Sequence, residues 1–506
     1  MRQLVWCVVI FQIFVSVSLG ANILAIIPTA SFAHQMPFRP LWRELAKRGH
    51  NITLVTTDPM DDLSLKGVKE IDIGYGYQIM EKHQVFDTIS NDSKSFIEMG
   101  RAFVRAFNET NNKFFQSPEG QNLIHNKDNH YDLLMVEAQL PAMMVFSWWY
   151  QIPFIGLSSM DCALQYHDTA GNLVHHLVTP DPNMQVQDTF WDRLKSFLYI
   201  WIYRALLNFT TFPKEQRILQ QYFGANVPTI PEIQNNMSML FVATNPIFQP
   251  IRALMPNTIT VGNGMHIGES KPLAPEIQRF LDEAEEGAIY FSLGTNVKSR
   301  YLNASAKSEL LKAFTGLPYR VLWKTDEQFD DLPANIKAQK WFSSQPDILL
   351  HPNIKLFITQ GGLQSMQESL NANKPMIGIS FFGDQHSNVD RMVQLGFGLK
   401  VHKHNITEET VREAIGEVIS NFKYSDKAKE FGDIFRDAIA PNVETAAWWT
   451  EYVLRHKGAK HFRNPLLDMP LWKAYMLDVF GLICLFIFVF IRLLSLILHS
   501  ISRNIC

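Results

Sequence analysis

A chain of 506 residues exceeds what one hydrophobic core ordinarily serves, and two globular units fit its length best. With 47% hydrophobic and 19% charged residues, its body has the composition of a packed globular protein and not of a disordered one. Lys and Arg total 46 against 49 Asp and Glu, and a net charge of -3 offers no field for a polyphosphate backbone, which sets nucleic acid aside as a partner.

Met1-Arg2-Gln3, the apolar run from Leu4 to Val17 and the small residues Ser18, Gly20 and Ala21 have the three parts of a secretory signal, so residues 1–20 are set apart from the fold. Asn22 to Pro28 then reads as a short buried strand, Arg39 to Arg48 as a helix, and Gly49 leads into the strand Asn51 to Thr56, which together make one βαβ unit. Tyr131 to Ala138 and Ile152 to Leu157 read as further buried strands. Between Phe190 and Phe209 the apolar side chains are dense enough for core or for a surface lying against a bilayer, and core is the expectation adopted. The Pro-rich stretch 246–275, poor in strand signals, reads as a linker between a first domain at 21–245 and a second at 276–440.

The second domain alternates strand and helix from Ala288 onward. Ala288 to Leu293, Arg320 to Trp323, Ile354 to Thr359, Pro375 to Ile379 and Leu399 to His402 are strand-like; Lys307 to Phe314, Leu363 to Asn371, Val389 to Leu395 and Glu408 to Ile419 are helical. Such alternation implies an α/β fold of two doubly wound, Rossmann-like domains, with ligands beyond the carboxyl ends of the strands. A helical return segment is expected at 441–475. Val479 to Ile491 and Leu493 to Leu498 are apolar around Arg492, giving about the twenty residues of a transmembrane helix at 476–498 with a tail at 499–506. A central Arg costs about 2.5–3.5 kcal/mol on insertion scales, but its long stem can snorkel to the interface. With a cleaved signal, this predicts a single-pass membrane protein of type I whose body lies in the lumen. Seven sequons, at Asn51, Asn91, Asn108, Asn208, Asn236, Asn303 and Asn405, agree with that side. Cys7, Cys484 and Cys506 fall outside the folded body, which leaves Cys162 alone there and rules out an intrachain disulfide framework; a small buried apolar role is expected for it.

One motif carries chemistry. The strand Phe357-Ile-Thr359 runs into Gln360-Gly361-Gly362 and then directly into a helix holding Gln364, Ser365 and Glu368. Glycines let a phosphate approach the backbone, the helix start offers the free N–H groups of Leu363, Gln364 and Ser365, and Glu368 one turn on can accept from ribose hydroxyls. Taken alone, Gly-Gly after a strand is more often a structural turn. The continuation through Pro375-Met376-Ile377 to Asp384-Gln385 makes it specific, for the run Phe357 to Gln385 resembles the donor-binding motif of the UDP-glycosyltransferases, the family of the glucuronosyltransferases and their invertebrate and plant relatives. The resemblance extends to Arg48-Gly49-His50, Phe291 to Gly294, Trp341, His351-Pro352, Arg455 to His461 and Leu477-Asp478-Val479, and is closest in look to invertebrate members.

The resemblance implies a glycosyltransferase fold of the B type, with acceptor binding in the first domain and UDP-sugar binding in the second. It places Trp341 and Gln345 on uracil, Glu368 on ribose, Thr295, Thr359, Gln360, Gln364 and Ser365 on the diphosphate beside Gly361 and Gly362, and Asp384 and Gln385 on the sugar. It implies that His34 is the general base and Glu137, where relatives often carry Asp, the residue that orients it. Without the resemblance, an ordinary loop His and a surface carboxylate would describe this pair. A helix start just past the first strand is expected to keep His34 neutral. Many relatives have His where Gln360 stands and Pro where Ser380 stands, and the step from Trp341 to Gln345 is one residue longer than usual.

The expected function is inverting transfer of glucose or glucuronic acid from a UDP-sugar to a hydroxyl of a small lipophilic acceptor in the endoplasmic reticulum membrane, a detoxification type of reaction. Sequence leans towards glucose, and Arg252 is the residue weighed as partner for a glucuronate carboxylate. No metal and no cofactor beyond the UDP-sugar donor are expected, since no Asp-x-Asp pair is present and a helix start can offset the leaving UDP charge. Weighed against this are a non-catalytic UDP-sugar-binding membrane protein and a UDP-sugar epimerase, the latter ordinarily soluble. The acceptor's identity and association into a homo-oligomer stay open.

Overall fold

The computed structural model describes residues 20–505, apart from 92, 93, 95, 140, 162, 177–188, 296–301, 303, 330 and 343. The signal segment before residue 20, Cys162, Cys506 and the sequon residue Asn303 thus lie outside the described residues.

Seven strands make the first sheet: β1 (Asn22–Ile27), β2 (Asn51–Thr56), β3 (Val68–Asp72), β4 (Leu133–Glu137), β5 (Phe154–Ser158), β6 (Met237–Val242) and β7 (Thr258–Thr260), in the order β3-β2-β1-β4-β5-β6-β7. Every neighbouring pair is parallel. The central strands are continuous apolar runs because helices cover both faces: β4, β5 and β6 are buried at every residue. The stretch read as a strand-poor linker supplies the edge strand β7, a three-residue run too short to show a period in the sequence.

A second sheet of six strands follows: β8 (Ala288–Ser292), β9 (Arg320–Lys324), β10 (Ile336–Gln339), β11 (Ile354–Thr359), β12 (Met376–Gly378) and β13 (Gly398–Lys400), in the order β10-β9-β8-β11-β12-β13, again parallel throughout. Both sheets start in the middle, run to one edge and return to the other side of the first strand. The reversal falls between β1 and β4 in one and between β8 and β11 in the other, and the loops there diverge to leave a crevice. Two parallel, doubly wound sheets are the Rossmann-like architecture expected from the sequence.

After the second sheet the chain returns to the first. Helix Asn442–Arg455 buries Ala446, Ala447 and Val453 in one cluster with Phe38, Leu41 and Trp42 of the first unit, and Glu451 receives Arg48 Nη1 at 3.1 Å. Alanines on that face let the backbones approach. The chain ends in helix Leu477–Ile505, of which Leu477–Ile501 holds an 18-residue window with a mean hydropathy of 2.8, none of it buried, so it is long and apolar enough to cross a membrane.

One expectation is overturned. Helix Phe190–Leu206 is not core: it seats only Ser196 and Ile200 in the fold, while Trp191 is 73% and nearby Phe209 82% exposed. Density of apolar side chains says that a face wants cover, and nothing in it says what provides the cover.

Candidate functional site

Both crevices open onto one site. In the first, β1 leads into a loop that Gln35 ties down: its Nε2 donates to the carbonyls of Ile27 (2.8 Å) and Thr29 (3.2 Å), and its Oε1 accepts from the Thr56 hydroxyl (2.9 Å). His34 beside it is therefore held in place. Its Nδ1 lies 2.5 Å from Glu137 Oε1, and Glu137 Oε2 accepts the Thr29 N–H at 3.2 Å; both side chains are buried. Glu137 ends β4, whose Val136 is in register with Ile26 of β1, so the parallel pairing sets the carboxylate beside the loop after β1. A carboxylate there accepts Nδ1–H and leaves Nε2 with the lone pair. His34 is the third residue of the four-residue helix Phe32–Gln35, just past the first strand as expected, and Glu137 is the side chain that orients it. The extra methylene of Glu does not prevent the contact.

In the second, β11 ends at Thr359, in register with Ser292 of β8, and Gln360-Gly361-Gly362 leads into helix Leu363–Asn371. Gly362 is its N-cap and supplies no side-chain acceptor, so the first N–H groups of the helix stay open to an anion. Gly361 has φ +85°, and a Cβ there would lie 2.4 Å from Val389 Cγ2. Only glycine fits. Gln360 is buried over Gly294 and Gly362, and its Oε1 accepts from the Thr359 hydroxyl at 3.3 Å. Thr295 follows Gly294 on the adjoining loop, which places Thr295, Thr359 and Gln360 round the open helix start.

Further along this helix, Glu368 is buried and its Oε2 accepts Gln345 Nε2 at 2.6 Å, while the same amide donates to Ser365 Oγ at 2.9 Å. The longer step from Trp341 thus still brings Gln345 to the site, as the first residue of a helix capped by Ser344. Sequence reasoning missed His266, whose buried Nε2 lies 3.2 Å from Glu368 Oε1, close enough for an ion pair though misaligned for a hydrogen bond. It sits among glycines in the stretch read as linker, where no periodicity marks it. Trp341 is 53% exposed, with its ring edge-on to Phe32 of the first unit at 5.6 Å. Lys324, also missed, sets its Nζ 4.1 Å from the Trp341 ring, and burial pulls its pKa down to about 8 against the opposing pull of Glu368.

Contacts between the two units close the site. Gln364 Nε2 donates to the Ser159 carbonyl of the first unit at 2.8 Å, and Arg391 Nε holds the linker through the Ile247 carbonyl at 3.1 Å. Asp384 precedes helix Gln385–Leu395 and is held by Asn388 Nδ2 at 2.9 Å; burial raises its pKa, with His34 opposing and Asp161 adding to the rise, so charges of the first unit act on it. Gln385 points its Oε1 back at the N–H groups of Phe381 (2.9 Å) and Phe382 (3.2 Å), which shapes the loop and leaves only its amide nitrogen for a ligand. Arg252 is paired with Asp161 at 2.6 Å and its side chain is 4% exposed. It is not a free cation for a donor carboxylate.

The site thus joins an oriented imidazole on one unit to an anion-binding helix start and a buried carboxylate on the other, the parts that a proton-abstracting group transfer with a phosphate leaving group requires. A family profile described as "UDP-glucoronosyl and UDP-glucosyl transferase" matches residues 22–502. The chain is similar to "UDP-glycosyltransferase UGT5" of Dactylopius coccus, 30% identical over 97% of this chain and 94% of that one. It is also similar to "UDP-glucosyltransferase 2" of the same insect, 30% identical over 97% and 96% of the two chains. The "Ecdysteroid UDP-glucosyltransferase" of Mamestra brassicae nuclear polyhedrosis virus is 31% identical over 87% of this chain and 85% of its own. Among solved structures, the glycosyltransferase VinC in complex with DTDP aligns with a TM-score of 0.59 at 14% identity, over 86% of this chain and 100% of that one, which bears on the fold alone.

Proposed function

Because this chain belongs to the UDP-glucoronosyl and UDP-glucosyl transferase family and is a glycosyltransferase with a UDP-sugar as donor, we propose that it transfers glucose, with inversion, to a hydroxyl of a small lipophilic acceptor, His34 acting as general base. The observation that carries the reading is the His34–Glu137 pair at 2.5 Å, which leaves Nε2 of the imidazole to accept a proton. His34 Nε2 takes the acceptor proton as the acceptor oxygen attacks the anomeric carbon. The bond from that carbon to the UDP β-phosphate oxygen breaks, and the electron pair leaves with UDP. Glu137 balances the imidazolium, and the N–H groups of Leu363, Gln364 and Ser365 receive the phosphate charge. Trp341 stacks uracil, Gln345 and Glu368 take the base edge and the ribose, Thr295, Thr359 and Gln360 line the diphosphate, and Asp384 with the amide nitrogen of Gln385 takes the sugar hydroxyls. No cofactor enters this chemistry.

Glucose is favoured over glucuronic acid because Arg252, the cation weighed for the carboxylate, is neutralised by Asp161, and because relatives are named UDP-glucosyltransferases. The apolar helix Leu477–Ile501 anchors the protein in the endoplasmic reticulum membrane with its body in the lumen, a reading supported by exposed sequons at Asn51, Asn236 and Asn405. The test is a competition of labelled UDP-glucose and UDP-glucuronic acid on a generic phenol with the full chain in membranes. A glucoside is expected as the main product, and a glucuronide in excess would overturn the donor assignment. His34→Ala is expected to lose about 10²–10⁴-fold in transfer while still binding UDP.

A further inference from the structure

Helix Phe32–Gln35, which carries His34, is a single turn with no side-chain cap. A helix that short has no stability of its own, so its position is set by what its side chains touch. Gln35 and the His34–Glu137 pair hold it to the first unit. Phe32, at its start, reaches across the cleft: its half-buried ring meets the Trp341 ring of the second unit, with centroids 5.6 Å apart and planes at 88°. Perpendicular rings are a favoured arrangement, edge against face, and such a contact fixes direction as well as distance. Two cations extend the pair into a stack. The Arg39 guanidinium lies 4.8 Å from the Phe32 ring and is bonded through Nη2 to the carbonyls of Asp58 (2.7 Å) and Pro59 (3.3 Å), just past β2. On the other side, Lys324 sets its Nζ 4.1 Å over the Trp341 ring, because Gln339, two residues before Trp341, is in register with Lys324 at the end of β9. Each ring is thus tied by a cation to the framework of its own unit. Trp341 still has 53% of its surface exposed, which leaves room for a nucleobase to stack.

We propose that Phe32 is a positioning residue for transfer: a donor whose base stacks on Trp341 fixes that ring, the fixed ring holds Phe32 edge-on, and helix Phe32–Gln35 thereby sets His34 in line with the acceptor hydroxyl. An exposed side chain hops among positions within nanoseconds, and a base lying on the open face of the indole removes that freedom. Phe32 and His34 are two residues apart on one turn, so what the ring does is passed to the imidazole. A misplacement of about 1 Å at the reacting groups can cost about 100-fold in rate. The nucleotide end of the donor therefore contributes to kcat, through a contact between units, as well as to its own binding.

This inference rests on the proposed roles of His34 as base and Trp341 as uracil platform, and the experiment separates it from them. Turnover of UDP-glucose with a generic phenol, both saturating, and calorimetric UDP binding are measured on the full chain in detergent micelles. Phe32→Ala is expected to lower kcat about tenfold and to keep UDP affinity within about twofold. Phe32→Leu fills the space without a ring edge and should be as slow, and it carries the test if the alanine variant does not fold; Phe32→Tyr keeps the ring and should restore kcat to within about threefold. Trp341→Leu is expected to weaken UDP binding and to lower kcat. In the Phe32→Ala background the same change should weaken UDP equally but cost kcat nothing further, because the two rings act as one unit. Losses in kcat that multiply, or a Phe32→Leu chain as fast as the wild type, overturn the inference and leave base and platform in place. A fall in UDP affinity as large as the fall in kcat makes Phe32 a wall of the nucleotide pocket and overturns it too. Normal turnover in His34→Ala, or unchanged UDP affinity in Trp341→Leu, removes the underlying role and the inference together.

Discussion

At the scale of single residues, the site depends on side chains that orient other side chains. Glu137 is expected to act through His34: Glu137→Gln keeps the shape but lowers turnover by roughly 10²–10⁴-fold, because an amide cannot balance the imidazolium. Glu137→Asp retains more. Turnover of the double variant His34→Ala/Glu137→Gln checks the pairing, since groups acting as one unit are not additive and the second change should cost little more; losses that multiply would separate the two residues. His266 stands in the same relation to Glu368. His266→Ala is expected to raise KM for the UDP-sugar about fivefold, near 1 kcal/mol, and to leave kcat almost unchanged. Combined with Glu368→Ala it should add nothing further, and steady-state kinetics of the three variants decides this. Glu368 was named from the motif after β11, and His34, Glu137 and Gln345 only through the family resemblance. His266 and Lys324 were not legible, because their roles come from packing against Glu368 and Trp341 and leave no local pattern.

At the scale of elements, nine of the thirteen strands were readable because parallel strands buried on both faces are near-continuous apolar runs, while β3, β6, β7 and β10 were not read, and Leu363–Asn371 was readable because Gly362 opens it and its apolar residues repeat at helical spacing. Helix Phe212–Phe223 shows what such reading leaves out. It buries Glu215, whose Oε2 has no hydrogen-bond partner and whose pKa burial raises from 4.5 to about 8. The folded pKa lies above the unfolded one, so the folded state holds the proton more tightly. The contribution of Glu215 to stability is greatest below about pH 4.5 and is lost as pH rises towards 8, by a few kcal/mol at about 1.36 kcal/mol per unit. Glu215→Gln is expected to flatten that dependence. Thermal unfolding of the full chain in detergent micelles between about pH 5 and 8.5 measures it, and a variant whose Tm falls in parallel with the wild type would refute the assignment.

At the scale of the whole molecule, transfer needs both units at once, since base and donor site are built on different sheets. Gln364 is the residue in which the two demands separate: its backbone N–H belongs to the helix start, and its side chain reaches the Ser159 carbonyl of the other unit. Gln364→Ala is expected to keep UDP affinity within about threefold, because the helix start is intact, and to lower kcat by about tenfold or more as the reacting groups lose register. Calorimetry of UDP binding beside turnover tests this, and an equal loss in both would place the Gln364 amide on the nucleotide instead.

The sequence by itself determined the two-unit parallel α/β architecture, nine of its thirteen strands, the glycine turn before Leu363 and the apolar terminal helix, because each is encoded by residues close together in the chain. The tertiary structure decided what depends on distant residues meeting. It brought His34 to Glu137 across 103 positions of chain, neutralised Arg252 with Asp161, and turned the apolar face of Phe190–Leu206 outward beside Tyr475. Hydrophobic pattern records that a side chain avoids water, and a titratable residue records only what it can donate or accept. Which partner satisfies either one is set by the packing of elements, which no local stretch of sequence contains.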